Sequence, residues 1–200
     1  MNKPIGAGKS SFELIDPSLL LKKLRLREGM IILDLACGKG LYSIALAEAA
    51  GGRGWVYAID LWEEGIAHLE KEISAKGIEN IKAMVADVSK KIPLDDARID
   101  LCLMATVLHD LVQVKAHEGA LREVQRVLKP EGILAVIEFK KIEGTPGPPI
   151  HIRLSPGEVE RMIKAHGFKK KSTHQVGPYN YLMVFSLKEP SKKFRTSPAE

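Results

Sequence analysis

The sequence predicts one doubly wound α/β domain, a seven-stranded, mostly parallel sheet with an antiparallel C-terminal strand and helices on both faces. Three observations carry that expectation. Short apolar runs alternate with helical stretches almost throughout, the pattern of a parallel sheet covered on both sides. A turn of small residues, 36–40, joins the first apolar run to a helix. Finally, only Gly177 and Pro178 separate the last two strand-like runs. Two residues cannot hold a helical crossover, so one of those strands must run antiparallel to its neighbours.

The elements follow in order. Residues 30–35 (MIILDL) form an apolar strand, and 40–50 a helix with Leu41, Ile44, Ala45 and Ala49 near a 3.6-residue period. A second strand, 55–59, ends at Asp60. Helix 63–76 places Ile66, Leu69 and Ile73 on one face and stops at Gly77. Strand 81–86 ends at Asp87, and 99–104 is a fourth strand. Helix 115–128 turns Leu121, Val124 and Leu128 inward and ends at Lys129-Pro130; strand 132–139 follows. Ser155-Pro156-Gly157-Glu158 carries a capping-box signal for a last helix ending at Gly167. The hairpin strands are 168–176 and 179–187.

The expected organisation is a flexible arm over 1–15, the domain over 16–188 and a disordered tail over 189–200. The Gly/Pro-rich stretch 142–150 is long enough for a lid or substrate loop. A composition 45% hydrophobic and 28% charged is that of a soluble globular protein. Cys37 and Cys102 are too few for a disulfide framework or a multi-cysteine zinc site, and no metal is expected. No signal peptide is expected, and the aliphatic run 133–137 is far short of the ~20 residues of a membrane span. A cytoplasmic location is expected. The net charge of +5 resides in Lys169, Lys170, Lys171 and the tail after 187. That is no basic face or stripe, so nucleic acid is not an expected partner; a homodimer stays open.

The chemistry gathers where strands end. Asp34-Leu35-Ala36-Cys37-Gly38-Lys39-Gly40 follows an apolar strand and opens a helix. Its small residues let a ligand approach the main chain, at the sheet edge where open α/β folds bind ligands. Asp60 can accept both hydroxyls of a ribose. Asp87 can accept from an adenine amino group, with Val88 donating its backbone N–H.

Together these residues resemble the class I S-adenosylmethionine (SAM)-dependent methyltransferases, whose domain is Rossmann-like. The resemblance covers roughly 31–187. It implies that Asp34 positions the methionine end of SAM while Ala36, Cys37, Gly38 and Gly40 pack on the methionine and sugar. It also implies that Asp60 holds the ribose, Leu61 covers the adenine, and Asp87 with Val88 reads the adenine edge. Ala36 stands where the family often has glycine. The phrases 123–132 (EVQRVLKPEG) and 154–156 (LSP) are similar to the ubiquinone and menaquinone branch.

Two rival motifs weigh less. Gly38-x-Gly40-x-x-Ser43 approximates a dinucleotide fingerprint, yet Asp34 before the loop and the closing hairpin favour SAM. Gly6-Ala7-Gly8-Lys9-Ser10 looks like a phosphate loop, but Lys3 stands where its first glycine belongs and no strand precedes it. It reads instead as an arm able to fold over the cofactor.

Methyl transfer needs nucleophile, methyl carbon and sulfur nearly collinear, so positioning supplies much of the acceleration. The segment from Met104 through Asp110 is expected to border the methyl, with Met104 at the cofactor. His109 is the candidate general base, with Asp110 to orient it; the alternative is a histidine that caps or packs under the next helix. Arg153 is a candidate anion contact. The (Asn/Asp/Ser)-Pro-Pro-aromatic stretch of base-amine methyltransferases is missing at 104–107, and Cys102 lies inside a strand, where it reads as a small core residue. A small organic acceptor is therefore expected, against methylation of RNA or protein, or a non-catalytic SAM-binding module.

Overall fold

The computed structural model describes residues 4–144 and 146–188; the tail expected over 189–200 lies outside them. A 3-10 turn, Phe12–Leu14, leads into α1 (Pro17–Leu24). Then come β1 (Ile31–Leu35), α2 (Leu41–Ala50), β2 (Trp55–Asp60), α3 (Glu63–Lys76), β3 (Ile81–Val85) and β4 (Ile99–Ala105). The second half contains α4 (Leu108–Gln113), α5 (His117–Val127), β5 (Leu128–Phe139), α6 (Pro156–Ala165), β6 (Phe168–Gln175) and β7 (Asn180–Leu187).

The seven strands lie in the order β3-β2-β1-β4-β5-β7-β6. All neighbours from β3 to β5 are parallel. β7 runs antiparallel to both β5 and β6, which makes it the reversed strand of the hairpin. The chain leaves β1 towards β2 and β3, then returns to place β4 on the other side. A crevice therefore opens between the carboxyl ends of β1 and β4, the topological switch point where such sheets bind ligands.

Strand alternation divides the core into two layers. Leu33, Leu35, Met104, Val136 and Phe185 pack with α4, α5 and α6 on one face; Ile32, Leu103, Ile137 and Leu182 pack with α1 and α2 on the other. Each fully buried leucine or phenylalanine contributes about 1.5–3 kcal/mol relative to exposure, so the site rests on a stiff support. The capping box of α6 is present: Glu158 N–H donates to Ser155 Oγ, and Ser155 N–H to Glu158 Oε2 at 2.7 Å.

Two regions depart from expectation. α1 is an additional helix, started by Asp16, which caps it by accepting from Leu19 N–H at 3.0 Å, and by Pro17 in its first position. The helix expected over 115–128 is shorter, because α4 precedes it and Leu128 already pairs with Ile99. A register shift between Ile99 and Leu101 accommodates that early start of β5.

Candidate functional site

Both strands flanking the crevice end in a left-handed residue that is not glycine: Ala36 (φ 58°) after β1 and Thr106 (φ 53°) after β4. Such backbone costs roughly 1–2 kcal/mol in an L-residue and tends to gather at binding sites. The question at Ala36 is thus handedness more than size. At Gly40 (φ 77°) an added Cβ would lie 2.3 Å from Leu69 Cδ1. Its glycine lets α3 pack against the start of α2; it supports the loop and does not line the cleft.

The turn surrounds a cleft of about 700 Å³ that brings Asp34, Asp60 and Asp87 to one wall, with Ala36, Cys37 and Gly38 beside them. Leu61, 44% exposed, and Val88 also line it. Of the residues expected at the cofactor, Gly40 and Met104 do not reach this cleft. Met104 is fully buried in the α4–α6 layer, because β4 continues through Ala105 and strand alternation turns Met104 inward. Ala105 and Thr106 occupy the wall instead.

Asp60 organises the turn. Gly38 N–H donates to its Oδ2 and Trp62 N–H to its Oδ1, both at 2.7 Å. Each oxygen keeps a lone pair for a further donor. Asp87 accepts from Ser89 N–H at 3.0 Å and Ser89 Oγ–H at 2.6 Å, with Lys90 Nζ 3.3 Å away. Partial burial pushes its pKa up, but the Ser89 bonds and Lys90 outweigh that and hold it below the ordinary carboxylate value.

Asp34 is the unusual member, an acid at 1% exposure inside a central strand. Burial pushes its pKa up to about 7; the Ser43 hydroxyl, donating at 2.6 Å, pulls down, and the Asp60 charge adds to the rise. Sequence reasoning misses Ser43 as part of the site, although a serine three residues beyond Gly40, in the first turn of a mostly apolar helix, is a visible signal.

A second cleft of about 490 Å³ adjoins the first. Ile5, Gly6, Lys9, Ser10, Thr106 and Asp110 line both. Its own lining is largely apolar, with Leu14, Phe139, Pro146, Pro148, Pro149 and Ile152, and it carries His109. His109 Nδ1 lies 2.7 Å from Glu138 Oε2, and its backbone N–H donates to Glu138 Oε1 at 3.1 Å. Asp110, expected to orient the ring, stands 3.6 Å from Nε2, beyond a good hydrogen bond. The carboxylate bonded to the ring is Glu138, and its signal in the sequence is one acid in the apolar run that ends β5.

Burial pushes the His109 pKa down, but the Glu138 hydrogen bond and charge, with Asp110, outweigh it and hold the imidazole above its ordinary value. Arg153, expected as an anion contact, is 3% exposed and otherwise employed. Its guanidinium donates to the carbonyls of Pro148, Lys140, Ile142 and Pro146, fastening the loop that walls the second cleft. Among the described residues no group of three His, Cys, Asp or Glu side chains could hold a metal, and no helix is long and apolar enough to cross a membrane.

The donor set of the first cleft suits SAM. Acids outnumber lysines in its lining, which disfavours a pyrophosphate, whereas SAM carries a net positive charge that the acids can receive. The comparisons agree. A methyltransferase-domain family model matches residues 26–178, so the chain belongs to that family. The crystal structure of a SAM-dependent methyltransferase from Aquifex aeolicus is 33% identical, with a TM-score of 0.82 over 88% of this chain and 92% of that one. Demethylmenaquinone methyltransferases are also similar: that of Geobacillus stearothermophilus is 31% identical and that of Staphylococcus aureus 35% identical, each over 119 residues, or 60% of this chain. Those matches cover 49% and 47% of the two relatives, so the chain spans about half their length.

Proposed function

We propose that the protein transfers a methyl group from SAM to a small organic acceptor held in the second cleft. The observation that carries this reading is the shared wall at Thr106 and Asp110, with an acidic cleft on one side and an apolar cleft holding one imidazole on the other. When bound, SAM supplies a methyl group on a positively charged sulfur. Asp60 would hold the ribose, Asp87 and Val88 the adenine, and Asp34 the amino end. His109 would take the proton of an acceptor that keeps it at neutral pH. Lys169, Lys170 and Lys171 lie on β6, which β5 and β7 separate from the crevice, so a macromolecular acceptor gains no cationic approach from them.

The test is labelled SAM offered with demethylmenaquinone, for which the curated relatives are named, beside a panel of phenols and amines. Methylated product matched by S-adenosylhomocysteine is the expected result; SAM binding without turnover on any of them would favour the non-catalytic module. His109→Ala is expected to lower turnover by ~10²–10⁴-fold and leave the SAM Kd within about twofold, a split that steady-state kinetics and calorimetry can read.

The arm belongs to the same reading. Residues 4–10 line the first cleft, and Ser11 Oγ bonds Tyr42 Oη at 2.8 Å and Thr106 Oγ1 at 3.1 Å. As a latch, this contact would slow release of SAM. Ser11→Ala strands the buried Tyr42 hydroxyl and is expected to speed SAM dissociation ~10-fold, measured by stopped-flow fluorescence. An unchanged rate removes the latch.

A further inference from the structure

We propose that Glu138 is a positioning residue, holding His109 with Nδ1 protonated and Nε2 free to take a proton from the acceptor. The inference rests on reading the second cleft as the acceptor site. Glu138 is fully buried in β5, where an ionisable group is costly without partners. Both of its oxygens engage one residue. The backbone N–H of His109 is a fixed donor, so it pins Oε1 whatever the ring does. Oε2, 2.7 Å from Nδ1, is then satisfied by a ring N–H, which leaves the lone pair of the neutral ring on Nε2.

The surroundings support that arrangement. Tyr181, opposite Glu138 on β7, gives its hydroxyl to Leu154 O at 2.6 Å and does not compete for the carboxylate. The His109 ring meets Phe139 edge-on at 6.3 Å, and its Nε2 side turns towards Asp110, which lines both clefts. The charges around the ring are Glu138 from β5, Asp110 from its own helix and Arg153 from the segment before α6; Lys9 of the arm acts on Asp110. In the step itself the proton leaves the acceptor for Nε2, so that the ring becomes imidazolium with its Nδ1–H still held by Glu138, and later passes to water. The acceptor keeps the electron pair.

The experiment is a long-range ¹H–¹⁵N spectrum of the histidine rings across pH, assigned with His109→Gln. The neutral His109 ring is expected as the Nδ1–H form, with its midpoint above the ordinary histidine value. Glu138→Gln is expected to lower that midpoint by ~1 pH unit or more and to mix the tautomers; Glu138→Asp, which keeps the charge, is expected to recover part of the shift. Turnover in Glu138→Gln should fall ~10-fold or more with the SAM Kd unchanged. A wild-type neutral ring protonated at Nε2, or a midpoint unmoved by Glu138→Gln, overturns the proposal. Should the Glu138 variants unfold, the wild-type spectrum alone decides the tautomer. A ring that behaves as expected in a chain that methylates none of the acceptors upholds Glu138 as the orienting group and overturns the transferase reading instead.

Discussion

Replacing Asp60 with alanine is expected to raise the SAM Kd by ~10²-fold or more and to lower the free energy of unfolding by ~2–4 kcal/mol. Both effects have one origin. The carboxylate accepts Gly38 N–H and Trp62 N–H at 2.7 Å, and it is 9% exposed, so alanine leaves two poorly hydrated donors without acceptors. The turn then keeps only the backbone bond from Cys37 N–H to Ile59 O at the end of β2, and the ribose loses its acceptor. Asp60→Asn keeps one acceptor oxygen and should fall between the two. Calorimetry reads the affinity and urea unfolding the stability. A loss of affinity with full stability would mean that Asp60 serves the ligand alone.

Asp34→Asn is expected to separate stability from binding. In the unfolded chain this carboxyl ionises near its ordinary value of 3.8, but in the fold it holds its proton to about pH 7. The unfolded state therefore releases a proton that the folded state keeps, and stability falls as pH rises from about 4 to about 7, then levels off. Ionising the buried group costs about 4 kcal/mol. Asparagine removes that cost but leaves an amide N–H₂ short of partners, at ~1–3 kcal/mol. The net expectation at pH 8 is a gain of ~1–3 kcal/mol in the ligand-free protein. SAM binding should weaken ~10–100-fold, because a cationic amino group loses its carboxylate. Calorimetry in buffers of different ionisation heat should show wild type releasing close to one proton on binding SAM at pH 6 and almost none at pH 8. The variant should release none at either pH.

The sheet is legible in the sequence because its signals are local. The period of α3, the alternation around β1 and the short link at Gly177-Pro178 each lie within a few residues. The three acids are legible for the same reason, since each stands at or near a strand end. What escapes depends on contacts distant in sequence. Glu138 meets His109 only because β5 and α4 pack together, whereas Asp110, the adjacent residue, is the partner that the chain order suggests. Met104, expected at the cofactor, turns its side chain into the core one residue short of the cleft wall, because β4 pairs with β5 through Ala105. The handedness of Ala36 is a property of the folded turn that its identity does not reveal. α1 is the exception, a local signal at Asp16-Pro17 that sequence reasoning passes over.

The most direct test of the account is a structure of the protein with S-adenosylhomocysteine. The ribose hydroxyls should bond Asp60, the adenine edge should meet Asp87 and Val88, the amino group should face Asp34, and the sulfur should point past Thr106 towards His109. A ligand seated outside the β1–β4 crevice, or one whose ribose leaves Asp60 untouched, would contradict it.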